Sequence, residues 1–193
     1  TSPLKLYHLL GSPEIRDKIP WEKVFIFWGD ERWVDLEDER SNAKMAFDSF
    51  LNHLPIPRDQ IFPMWEKGAE PEDFAKHYEQ MLQHTLGIMG IFDLIFLGMG
   101  EDGHTASLFP DSTALHEQAK WVYAYYLDNQ GMYRITLTFP TLNRAQKLLV
   151  MVHGEKKADA LYEVLEGKRN PDKYPAQLIQ PVKGEVLWLV DKE

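Results

Sequence analysis

Four apolar runs of strand length, interrupted only by Asp93, constrain the fold most: Val24 to Trp28, Phe92 to Leu97, Leu148 to Val152 and Val186 to Val190. Runs without polar alternation read as strands buried on both faces, the pattern of a parallel sheet. Helix-forming stretches separate them. Ser41 is placed to cap a helix running to about His53 and closed by Pro55. Pro71-Glu72-Asp73 opens a second that runs to about Leu86, with Gly87 as its stop, and a third spans Glu155 to Leu165. This alternation predicts crossover units and a three-layer α/β/α architecture of Rossmann-like type. Trp121 to Tyr126 and Tyr133 to Phe139, joined by Asp128-Asn129-Gln130-Gly131, read instead as an antiparallel pair, so the sheet is expected to be mostly parallel but mixed. No repeat or linker divides residues 1–193, which read as one domain.

Composition excludes several functions. Lys and Arg total 21 against 30 acids, a net charge of −9. That balance argues against bulk attraction to nucleic acid or to an anionic membrane, and leaves room for one local cationic pocket. The absence of cysteine removes disulfides, thiolate metal sites and a Cys nucleophile, and suits a reducing compartment such as the cytoplasm. No run of about 18 apolar residues is present to span a membrane. No H-E-x-x-H or G-x-S-x-G occurs, so neither a zincin helix nor a hydrolase nucleophile elbow is supported. Thr1-Ser2-Pro3 resembles neither a start nor a signal peptide and reads as a segment already inside a fold.

The richest chemistry follows the run ending at Leu97. Gly98-Met99-Gly100-Glu101-Asp102-Gly103-His104-Thr105-Ala106-Ser107-Leu108-Phe109-Pro110 puts three glycines, then Asp, His, Thr and Ser, at the carboxyl end of a strand. That is where ligands bind in open α/β sheets. Gly100 and Gly103 can admit a ligand close to the backbone and offer N–H groups to an anion. The three glycines also match G-x-G-x-x-G. A dinucleotide site needs a long helix and an acid about 20 residues on, whereas Pro110 and Gln118-Ala119-Lys120 stand here. Asp102 can accept an imidazole N–H from His104, fixing its tautomer and leaving the other nitrogen to act as a base. Asp102 with His104 as a metal pair, or Ser107 as a nucleophile, are weaker readings.

Trp28-Gly29-Asp30-Glu31-Arg32-Trp33-Val34 lies at another strand end. Alone it is a surface turn with an internal ion pair. Beside the first segment, Arg32 becomes a clamp for a phosphate or carboxylate. Arg134 opens the strand from Tyr133, Lys156 and Lys157 begin the helix after Gly154, and Lys183 precedes the last strand, so each can reach the same edge.

Residues 98–110, with Trp28 to Val34 and Arg40-Ser41-Asn42, resemble the glucosamine-6-phosphate isomerase/6-phosphogluconolactonase family, on its lactonase side. The resemblance extends over essentially the whole chain, through Arg134 to Thr138, Pro175-Ala176 and Leu187-Trp188. The related deaminases continue after Asp-Gly-His with a different segment, whereas Thr105 and Ser107-Leu108-Phe109 stand here. The resemblance implies hydrolysis of 6-phospho-D-glucono-1,5-lactone without cofactor or metal, and a small sugar-phosphate lactone as the sole evident partner. By the same resemblance His104 would be the general base, Asp102 its orienting group and Arg32 the anion holder. Asp30 would position Arg32 or sugar hydroxyls, and Arg134 and Lys157 would face the phosphate. Family members carry a strand ending in Ser-Gly-Gly just before the segment matching Thr1-Ser2-Pro3. The fold is therefore expected to lack that strand, with Thr1 and Ser2 lying beside the phosphate. A related isomerase or deaminase, and a non-catalytic sugar-phosphate-binding module, are the alternatives.

Overall fold

The computed structural model describes residues 3–192. The helices are α1 (Leu4–Gly11), α2 (Pro13–Arg16), α3 (Asn42–Ser49), α4 (Pro71–Leu86), α5 (Phe139–Leu142) and α6 (Ala158–Leu165). The strands are β1 (Ile26–Phe27), β2 (Asp30–Arg32), β3 (Ile61–Phe62), β4 (Ile95–Gly98), β5 (Val122–Leu127), β6 (Met132–Leu137), β7 (Lys147–Val152) and β8 (Glu185–Val190). Short 3₁₀ turns join several of them.

Local chemistry accounts for the boundaries. The Ser41 hydroxyl accepts the Lys44 N–H at 3.1 Å, capping α3 as its position predicts. That helix ends earlier than expected, because Phe50 turns to φ −157° and a 3₁₀ turn carries Leu51 to His53. Pro71 starts α4 and Gly87 ends it at φ 71°, a conformation that favours glycine. The predicted third helix divides into a 3₁₀ turn, Glu155–Lys157, followed by α6.

Strand pairing separates into three small sheets among the described residues: β1 with β3, β4-β7-β8, and β2-β6-β5. The first two are parallel and the third antiparallel. The fold is thus a mixed α/β architecture with parallel sheets, while the antiparallel hairpin pairs with β2 instead of extending the parallel strands. One face of β4-β7-β8 enters the core through Ile95, Leu97, Leu148, Val150 and Val152. The opposite face leaves Phe96, Leu187 and Leu189 exposed, so the expectation of burial on both faces holds for one face only. The shortest strands are held by a side chain: fully buried Tyr78 of α4 accepts the Trp28 N–H at 3.0 Å and donates to the Phe62 carbonyl at 2.9 Å.

Candidate active site

The site is built from a loop and a sheet face. The loop follows β4, whose carboxyl end lies beside that of β7, with Gly98 opposite Met151. The Asp102 carboxylate accepts the His104 backbone N–H at 3.1 Å and meets His104 Nδ1 at 2.5 Å. Half-burial pushes the Asp102 carboxyl up, but the hydrogen bonds and charge of His104 outweigh it and hold the group below the usual carboxylate range. An ionised carboxylate can only accept, so Nδ1 carries the hydrogen, and in the neutral imidazole the lone pair is then on Nε2. The His104 side chain is 26% exposed, so its ring is reachable from solvent.

The glycines serve this geometry differently from the sequence-based expectation. The Gly100 N–H donates to the His104 carbonyl at 2.9 Å, and the Gly103 N–H to the Gly100 carbonyl at 3.1 Å. Both amides are already engaged within the loop, so they do not form an anion cradle. Gly100 is needed for another reason: a Cβ there would overlap the His104 ring. Gly103 sits at φ 77° and packs on Tyr174, and its carbonyl accepts the Ala176 N–H at 2.8 Å. Thr105, Ser107 and Leu108 are completely buried, and Thr105 Oγ1 donates back to the Gly98 carbonyl at 2.8 Å. Between them Ala106 takes φ 49°, a conformation that costs a non-glycine residue about 1 kcal/mol.

This loop lies on one face of the antiparallel sheet. In β2, Asp30 pairs with Thr136, Glu31 with Ile135 and Arg32 with Arg134. Alternation puts Asp30, Arg32, Arg134 and Thr136 on the face toward the loop, and sends Glu31 and Ile135, both fully buried, the other way. The Ser107 hydroxyl donates to Asp30 Oδ2 at 2.6 Å, the Ser107 N–H to Thr136 Oγ1 at 3.3 Å, and the Tyr125 hydroxyl to the Ser107 carbonyl at 2.8 Å. Phe109 forms the remaining bridge, its ring centroid 4.0 Å from that of His104 and 5.3 Å from the Arg134 guanidinium.

Arg32 and Arg134 therefore oppose each other across the strand pair, an arrangement of like charges that is unfavourable unless an anion or carboxylate compensates. Asp30 Oδ2 lies 4.0 Å from Arg134 Nη1. Arg32 Nη1 donates to the Arg40 carbonyl at 2.6 Å and Arg134 Nη2 to Gln130 Oε1 at 2.6 Å, while the Nε of each is buried without a partner. Burial pushes the Arg134 guanidinium down and the Arg32 charge adds to this, with Asp30 opposing. Arg134 is 4% exposed, which sets most of its side chain beneath the site surface.

The structure thus brings together Asp30, Arg32, Asp102, His104 and Arg134. Lys157 is half-buried and stands apart: it lines a cleft of about 290 Å³ with Val152, Gly154, Leu161, Tyr162 and Val190, which holds none of the other candidates. At that helix start the Asp191 carboxylate already accepts the Gly154 N–H at 2.8 Å. Thr1 and Ser2 lie outside the described residues. Sequence reasoning passed over Glu31, Asn42, Ser107 as an Asp30 partner, and Phe109. No cluster of three or more metal-ligating His, Asp or Glu side chains occurs among the described residues, and no helix there is long and apolar enough to cross a membrane.

The fold and this loop define an α/β protein that sets an Asp-His pair at a parallel strand's carboxyl end, beside a strand pair carrying two opposed guanidinium groups. The particular family follows from comparison. The sequence profile described as glucosamine-6-phosphate isomerases/6-phosphogluconolactonase matches residues 1–188, and the chain belongs to this family. It is 41% identical to a 6-phosphogluconolactonase of Synechocystis sp., across 100% of this chain and 79% of that protein. A 6-phosphogluconolactonase of Nostoc sp. is 36% identical, across 99% and 78%. The solved 6-phosphogluconolactonase of Trypanosoma brucei superposes with a TM-score of 0.83 at 27% identity, covering 98% of this chain and 80% of that one.

Proposed function

We propose that this chain is an enzyme that hydrolyses 6-phospho-D-glucono-1,5-lactone to 6-phospho-D-gluconate in the oxidative pentose phosphate pathway. Its family membership and its full-length similarity to proteins of that name support the reaction. The single observation that carries the mechanism is the Asp102–His104 pair, with Nε2 as the free base.

In this reading Nε2 takes a proton from water as the oxygen attacks the lactone carbonyl carbon. The tetrahedral adduct then expels the ring oxygen, and the imidazolium returns its proton to that oxygen. Water's two hydrogens and oxygen end in the carboxyl and the new hydroxyl. A lactone is already an activated ester, so one placed base suffices; such assistance is worth about 10²- to 10⁴-fold. Arg32 binds the phosphate directly and fixes the ring by its far end. Arg134 adds positive potential from beneath, and Asp30 holds the Ser107 hydroxyl and offsets part of the Arg134 charge. The reading calls for no cofactor and no protein or nucleic-acid partner, and the cysteine-free composition supports a cytoplasmic setting.

The test is acid release from freshly prepared lactone. His104→Ala is expected to lower kcat by at least about 100-fold. A variant as fast as the parent would refute the base assignment. Ammonia release from glucosamine 6-phosphate would redirect the reading to a deaminase.

A further inference from the structure

We infer that Glu31, which cannot touch the substrate, is a positioning residue whose carboxylate staples both ends of the 32–42 segment and so presents Arg32 to the substrate phosphate. This rests on the function proposed above. Strand alternation turns Glu31 away from the site face, and it is 0% exposed. Its Oε1 accepts the Arg32 N–H at 2.8 Å and the Asn42 N–H at 2.7 Å, one from each end of the segment. Oε2 accepts the Ala43 N–H at 2.8 Å and the Ser41 hydroxyl at 3.1 Å.

The closed segment then sets the neighbouring groups. The Arg32 side chain crosses it to the Arg40 carbonyl, one residue before Ser41. Asn42, fixed through its own N–H, donates from Nδ2 to the Asp30 carbonyl at 3.0 Å. One carboxylate therefore orders the backbone of both Asp30 and Arg32.

The staple needs the ionised carboxylate. With four donors converging on two oxygens, a proton on either one faces a donor and breaks at least one bond. Burial pushes the Glu31 carboxyl up to about 7, with the Asn42, Ala43 and Arg32 N–H groups working against the rise and Asp30 with it. The other ionisable groups near it are Tyr7 of α1, Tyr78 of α4 and Arg134 of β6. The staple therefore opens as pH falls through neutrality.

The experiment measures kcat and KM for the lactone from about pH 5.5 to about pH 8.5 in the parent, Glu31→Gln and the milder Ser41→Ala, each checked for cooperative unfolding. At the alkaline end Glu31→Gln is expected to raise KM about tenfold and change kcat less than about threefold, with Ser41→Ala raising KM about threefold. The KM ratio of Glu31→Gln to parent should fall toward one on the acid side, because the parent then loses its own staple. Titrations common to both proteins cancel in that ratio. A ratio near one throughout, or one independent of pH, would overturn the inference. If Glu31→Gln does not fold, Ser41→Ala alone decides by the same criterion. If the parent fails to turn over lactone, the proposed function falls, and Glu31 is judged on inorganic phosphate: equal affinity in parent and variant would overturn its role.

Discussion

The loop carrying His104 and the segment carrying Arg32 hold their functional side chains by opposite means. Around His104 the determining bonds are local: Asp102 to His104, Gly103 to Gly100, Gly100 to His104 and Thr105 to Gly98. Around Arg32 they are remote, joining Glu31 to residues 11 and 12 positions on, Asp30 to Ser107 at 77, and β2 to β6. Their carboxylates differ too. Asp102 is partly exposed and held low by its imidazole, whereas Glu31 is buried and pushed up to about 7. A local loop can be set by glycine and one hydrogen-bonded pair, but a short strand needs a buried charge and the rest of the fold to aim it.

Four outcomes sharpen or break this contrast. The largest is expected from Gly100→Ala, whose Cβ would displace the His104 ring: kcat should fall about 1,000-fold, checked by steady-state kinetics alongside a thermal melt. An active Gly100→Ala enzyme would break the local half of the comparison.

The second concerns stability against pH. Glu31 rises from 4.5 to about 7 on folding, so the native state binds the extra proton. Its contribution is present below 4.5 and is lost as pH rises through about 7, a change of about 3 kcal/mol. Asp102 has the opposite sign, stabilising above its ordinary value and losing that as pH falls through its lowered one. Urea unfolding at a series of pH values should show a slope between these limits in the parent that Glu31→Gln lacks.

Third, Asp102→Asn should lower kcat about 100-fold with little change in KM, because the amide no longer dictates which imidazole nitrogen is free. Smallest, Arg32→Ala should lower kcat/KM about 30-fold, mainly through KM, as expected for one charge-assisted contact of about 2 kcal/mol. The same two assays measure both.

The contrast also explains how much could be read in the sequence. The limits of α4, the hairpin of β5 and β6, and the runs that became β4, β7 and β8 were legible because helix stops and apolar stretches act over a few residues. The Asp102–His104 pair was legible for the same reason. Strand β2 was not: three residues are too few to display a period, so Asp30-Glu31-Arg32 reads as a charged turn until β6 pairs with it. The burial of Arg134 was not legible because its neighbours there are Phe109 and Gln130, one 25 residues before it and one in the hairpin turn. The glycine amides looked available because their acceptors are carbonyls of the same loop, which composition does not reveal.

The central claim is that the lactone lies between the His104 loop and the β2–β6 face. A crystal structure with bound 6-phospho-D-gluconate tests it most directly. In that complex the sugar carboxyl group is expected within about 3 Å of His104 Nε2 and the phosphate on the Arg32 guanidinium. Product seated instead in the cleft between α6 and β8 that Lys157 lines, with His104 untouched, would contradict it.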